Sequence, residues 1–194
     1  MDAAAIAETL QTVALAIALA ACAGLRTFLP LFLAGVLSRA GWLVLGPSFQ
    51  FLSSNRALIL FGVASLIEIL ADKIPAVDHA LDALSTPLRA GAGALLAASA
   101  LGQATDPLAA LALGAAVGAP AALVPHAAKA SLRAVSTAFT GGLANPLLSF
   151  GEDVATLILF ALAVLVPLAV VLLLVLAGVV LGRRLLARPA VRGA

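Results

Sequence analysis

The sequence predicts an all-α, polytopic integral membrane protein of about five transmembrane helices. Three observations lead there. Hydrophobic residues make up 63% of the 194 residues and charged residues 10%, against about 25% charged in a soluble domain. Mean hydropathy is +1.18, so a water-facing surface could not be covered. The apolar residues fall into runs of spanning length, roughly 20 residues, separated by turn formers. A single transmembrane domain over 1–194 accommodates this, ending in a basic tail at 183–194. Net charge is +2, much of it from Arg183, Arg184, Arg188 and Arg192. That tail reads as cytoplasmic and headgroup-facing; the expected partner is the lipid bilayer, not nucleic acid. One cysteine, Cys22, excludes an intrachain disulfide and a thiolate metal cluster.

Ala3 to Ala23 is the first hydrophobic helix. Leu19-Ala20-Ala21-Cys22 looks like a lipidation box, but no Lys or Arg precedes Arg26, and a secretory signal needs a positive start. Cys22 is therefore expected as a small residue in a packed helix. Gly24 to Pro30 interrupts apolar sequence without resembling a polar loop. Either one long helix is kinked there, or helix one ends and a short helix re-enters the membrane, opened by Pro30 near its first position; the broken version is favoured. Ser38 to Arg56 is a connection, marked by Gly41, Gly46, Pro47, Ser53, Ser54 and Asn55. Ala57 to Ala71 is the second span.

Pro75 to Thr86 reads as an amphipathic interfacial helix, with Val77, Leu81, Leu84 and Leu88 on one face and Asp78, Asp82 and Ser85 on another. Leu88 to Leu101 is a separate short helix of small residues. Asp106-Pro107 signals a helix start. Pro107 to Val124 carries Gly114-x-x-x-Gly118, a packing spacing in membranes. Lys129 to Asp153 is a second polar-bearing region. Val154 to Leu181 is the final span, roughly 42 Å long, with tilt or a kink at Pro167 absorbing the excess. Arg39, Arg56 and the tail arginines on one side outnumber Lys73, Arg89 and Lys129 on the other, which favours an outside N-terminus and a cytoplasmic C-terminus.

A weak internal repeat aligns Ala23-Gly24-Leu25-Arg26-Thr27 with Ala130-Ser131-Leu132-Arg133-Ala134. If it is real, the halves are 1–105 and 106–182 and run in opposite directions, an arrangement used by transporters. Arg26 and Arg133 would then be pseudo-symmetric partners at helix breaks.

Chemistry concentrates in Ala64 to Arg89. Glu68 lies in an apolar run, and an ionisable residue in the membrane is costly and marks a site. Glu68 and Asp72 stand four apart on one helix face, as do Asp78 and Asp82; His79 could join them, and His126 elsewhere. Three readings compete. Glu68, Asp72, Asp78, His79 and Asp82 form a proton, cation or substrate site, because low dielectric disfavours ionised carboxylates and lets them exchange protons near neutrality; whether a metal binds is left open. Otherwise, the acids pair with Arg26, Lys73, Lys129 or Arg133 as counter-charges, which could also contact an anion. For Asp78, His79 and Asp82, a solvated interfacial face is the third reading. His126, Asn145, Glu152 and Asp153 form a second polar motif. No nucleophile elbow, HExxH helix or phosphate-binding Gly loop occurs, so no enzyme and no cofactor is expected.

With those residues together, the chain resembles the bacterial membrane proteins of the domain of unknown function 4126 family. Gly24-Leu25-Arg26, Glu68 with Ala71-Asp72-Lys73-Ile74-Pro75-x-Val77-Asp78, Lys129-x-x-Leu132-Arg133 and Asn145-Pro146-x-x-Ser149-x-x-Glu152-Asp153 carry the resemblance. It implies a stand-alone inner-membrane protein whose polar positions belong together, and it brings no activity. The functional expectation is a small transporter or channel-like module for an ion or small solute, working as a homodimer. The competing expectation is a scaffold or assembly factor whose polar residues are structural charge pairs.

Overall fold

The computed structural model describes residues 2–73 and 75–186, with the side chains of 75–84, 181 and 184–186 outside that description. Helix α1 runs Ala3–Leu25 and α2 Leu29–Arg39. The expected interruption stands: Arg26 is extended (φ −133°, ψ 128°) and Pro30 opens α2 in its first turn. After a 3₁₀ segment, Pro47–Ser53, Ser54 caps α3, Asn55–Ala71, by accepting from the Ala57 N–H. Helix α4 is Pro75–Leu101. Asp106 caps α5, Pro107–Leu113, which passes through a π turn at Gly114–Gly118 into α6, Ala119–Thr140. Gly141, at φ 63°, ends α6 in the left-handed conformation that favours glycine. Helices α7, Asn145–Leu165, and α8, Pro167–Leu186, complete the described chain.

Two expected boundaries change. The interfacial helix and the short helix after it are one helix, α4, which continues through Pro87. A proline removes one backbone bond, and membrane helices tolerate this where neighbours re-satisfy the freed group. The single final span is instead two helices. Val166 leaves the helical region (φ −143°) because the residue before proline is driven from it, and α7 begins at Asn145 rather than Val154. Arg183 and Arg184 continue α8, while Arg188 and Arg192 lie outside the described residues.

Among the described residues three stretches are long and apolar enough to cross a membrane: Ala3–Leu25, Pro107–Thr140 and Asn145–Leu165. The 3₁₀ segment and α3, bent by 59°, make four if that pair is one span. Among the described residues the expected five is not confirmed; α2 and Pro167–Val180 are apolar but shorter. Several apolar helices of this length mark a membrane protein.

Helix α1 is central. It packs on α4, α6, α7 and α8, and α4 packs on the π turn and α6. Its buried face is nearly all small: Ala14, Ala16, Ala18, Ala20, Ala21, Cys22, Ala23 and Gly24, with Leu19. Small residues let backbones approach, which is how membrane helices associate without a hydrophobic driving force between them. The predicted Gly114–Gly118 spacing does this work. A Cβ at Gly114 would lie 2.4 Å from the Ala94 carbonyl oxygen, and one at Gly118 would lie 2.5 Å from that of Gly93. Helix α3 differs: it packs on α2 and the 3₁₀ segment, and within it only Ala57 and Ser65 are buried.

Candidate functional site

A broken helix in a membrane leaves backbone groups without partners, and lipid offers none. At the α1–α2 break, two side chains from elsewhere supply them. Arg89, on α4, donates through Nη1 to the carbonyls of Gly24 (2.9 Å) and Leu25 (2.6 Å) at the end of α1. Glu68, on α3, accepts the Thr27 N–H on Oε1 (2.8 Å) and the Phe28 N–H on Oε2 (3.1 Å). A cation thus meets a helix C-terminus and an anion a helix N-terminus, the favourable sense for both helix dipoles. The two caps also face each other, Arg89 Nη2 to Glu68 Oε1 at 3.5 Å, and Ser85 Oγ accepts from Arg89 Nε at 3.1 Å.

Beyond the break lies a buried ion cluster. The Arg26 side chain is 0% exposed. Its guanidinium contacts Asp72 Oδ2, Asp153 Oδ1 (2.7 Å) and both oxygens of Ser149 (2.9 and 3.1 Å). The same Asp72 oxygen receives Lys129 Nζ at 3.2 Å and Arg133 Nη2 at 3.3 Å. Lys129 and Arg133 are four apart on α6 and share a face. Both also reach Glu152 on α7: Lys129 at 3.1 Å, and Arg133 through a two-nitrogen fork at 3.0 and 2.8 Å. Lys73, at the edge, bonds Asp153 at 3.1 Å and is 37% exposed. The cluster therefore ties the break and the end of α3 to α6 and α7.

The structure brings together most of the predicted site. Asp72, Arg26, Lys73, Lys129, Arg133, Glu152 and Asp153 form one connected set, while Glu68 pairs with Arg89 at the α1–α2 break. His126 and Asn145 do not join it through any described bond: His126 Nε2 pairs with Thr86 Oγ1 (3.0 Å), and Asn145 Nδ2 donates to Thr137 Oγ1 (3.3 Å). Asp78, His79 and Asp82 lie on the first turns of α4, and their side chains are outside the described residues. The expected symmetry of Arg26 and Arg133 fails locally, since Arg26 sits at a helix break and Arg133 inside α6, well before its end at Thr140. Arg89 and Ser149 are additions to the predicted site. Arg89 closes the charged stretch Ala64 to Arg89, and Ser149 stands in the Asn145–Asp153 motif that carries the family resemblance, but neither was placed in the site.

Among the described residues no group of three His, Cys, Asp or Glu gathers closely enough to hold a metal ion. The acids contact lysine and arginine instead. A cavity of about 210 Å³ opens between α3 and α4 beside the break. Its walls are apolar, from Phe28, Ala64, Ile67, Ala71 and Leu88, and its inner end meets Glu68, Asp72, Ser85 and Arg89.

A family model described as a domain of unknown function (DUF4126) matches residues 13–187. No curated protein and no solved structure matches the chain.

Proposed function

This chain belongs to the DUF4126 family, whose description assigns no activity, and we propose that it is a small transport or channel-like module for an ion or small solute. The observation that carries the reading is the cavity whose inner end is Glu68, Asp72 and Arg89, set against an interrupted helix. Membrane transporters place binding sites at such interruptions, where helix ends and buried charges meet. In this reading Glu68 and Asp72 are the working acids and the arginines their counter-charges. It is not an enzyme, it resides in an inner membrane with its C-terminus cytoplasmic, and a homodimer encloses the pathway.

A second reading has its own support. Asp72, Glu152 and Asp153 each contact a lysine or arginine, and Arg26 and Arg133 are 0% and 2% exposed. Buried charges that pair hold a fold together without carrying anything. Water access separates the two. With Cys22 replaced by Ala, single cysteines at Phe28 and Ala71 are treated with a membrane-impermeant maleimide from each side. Labelling is expected for a pathway; silence from both sides favours the scaffold.

A further inference from the structure

We infer that the α3–α4 cleft binds a single-chain anionic amphiphile from the bilayer, whose acidic head takes the place of Asp72 on Arg26, Lys129 and Arg133. This rests on the transport reading and gives it a substrate class. Asp72 Oδ2 is the first observation. One carboxylate oxygen collects cations from the α1–α2 break and from two positions on α6. Convergent charged donors of this kind are what recognises a phosphate or carboxylate ligand. The chain's own carboxylate stands where a ligand's oxygen would.

The second observation is that ionic contacts, and little apolar packing, hold that carboxylate in place. Asp72 is the C-cap of α3, and α3 buries only Ala57 and Ser65 along its length. Its Ile59, Leu60, Val63, Leu66, Ile67 and Leu70 are all exposed. Withdrawing the end of α3 gives up ionic contacts and little apolar packing.

The cavity is the third. It reaches Asp72 from a mouth flanked by Ile67 and Leu88, which are 61% and 52% exposed. In a bilayer that mouth opens to acyl chains rather than to water. An apolar cavity of roughly 150 Å³ holds benzene, so about 210 Å³ takes a short stretch of one chain and not two. Arg89 lines the cleft, and Arg26, Lys129 and Arg133, which also contact Asp153 or Glu152, meet Asp72 at its polar end. Glu68 lines it too, but its oxygens already accept two N–H groups and face Arg89.

The test uses the full chain in nanodiscs of dioleoylphosphatidylcholine, titrated with dodecyl phosphate or dodecyltrimethylammonium and read by native mass spectrometry. Dodecyl phosphate is expected to bind and the cation not. Asp72→Asn weakens the internal competitor and is expected to tighten dodecyl phosphate binding. Lys129→Gln is expected to weaken it by at least about tenfold, the factor one lost charge-assisted hydrogen bond represents. Ile67→Trp fills the cleft without touching the ion cluster and is expected to abolish binding, which keeps the test sharp if either charge variant fails to fold. Equal uptake of the cation, or unchanged binding in Ile67→Trp, overturns the inference. Stronger uptake of dioleoyl phosphatidic acid than of dodecyl phosphate overturns the single-chain assignment. Maleimide labelling at positions 28 and 71 without dodecyl phosphate uptake removes this substrate class and leaves the transport reading standing.

Discussion

Replacing Glu68 with Gln isolates the cap of the broken helix. The carboxylate gives one oxygen to each of two backbone N–H groups, at 2.8 and 3.1 Å. Glutamine has one acceptor oxygen, so one N–H loses its partner and faces an amide donor instead. A hydrogen bond to a charged group contributes about 1.5–3 kcal/mol. Arg89, 1% exposed, also loses the anion 3.5 Å away. Breaking a buried pair costs about 3–5 kcal/mol, but Arg89 keeps its two carbonyls and Ser85, which limits that loss. A total near 3 kcal/mol lowers Tm by roughly 6–12 °C for a chain of this size. Cys22 reports it directly. It is the sole cysteine, 0% exposed, four residues before the break, so a fluorogenic maleimide present during a thermal ramp reacts only as α1 opens. A Tm within about 2 °C of the parent, well under the expected range, refutes the capping assignment. Lost transport at unchanged Tm would make Glu68 a working acid rather than a cap.

The same assay ranks the cluster's lysines. Lys73→Met, removing a partly exposed pair, is expected to cost under about 1 kcal/mol, whereas Lys129→Met, which strips a cation from both Asp72 and Glu152, costs about 3–5 kcal/mol; equal effects would contradict the burial of the cluster. Two glycines give opposite outcomes. A Cβ at Gly24 lies 2.0 Å from the Ala122 carbonyl oxygen, so Gly24→Ala forces backbone apart and destabilises by about 1–3 kcal/mol or more. Gly91 has nothing within 4 Å of that position, and Gly91→Ala is expected to stabilise by up to about 1 kcal/mol. A stable Gly24→Ala would overturn the close packing of α1 on α6.

Much of the fold was readable because lipid imposes simple rules. Long apolar runs gave helices, the Gly24–Pro30 interruption is a break between α1 and α2, and the Gly114–Gly118 spacing is a close approach to α4. Proline was harder. Pro30 opens a helix, Pro87 sits inside one and Pro167 divides another, and the residue alone does not say which, because the outcome depends on whether neighbours satisfy the freed backbone. The site was legible as charges that do not belong in apolar sequence. Which charge meets which was not. Spacing places Glu68 and Asp72 on one face, yet Glu68 serves the α1–α2 break and Asp72 the α6 cations, a division set by tertiary packing. Asn145 and His126 belong with Glu152 and Asp153 in one polar motif by sequence, and the described bonds take them to Thr137 and Thr86.

The ion cluster also sets a timetable. Arg26 precedes Asp72 by 46 residues and Ser149 by 123. At a synthesis rate of about 5–20 residues per second, the guanidinium waits roughly 2–9 s for its first native partner and roughly 6–25 s for Ser149. An unpaired arginine is costly to leave in lipid, and no carboxylate pairs with Arg26 until the end of α3 is made. The first helix to be made therefore reaches its native contacts in two instalments, Asp72 with the end of α3 and then Ser149 and Asp153 with α7.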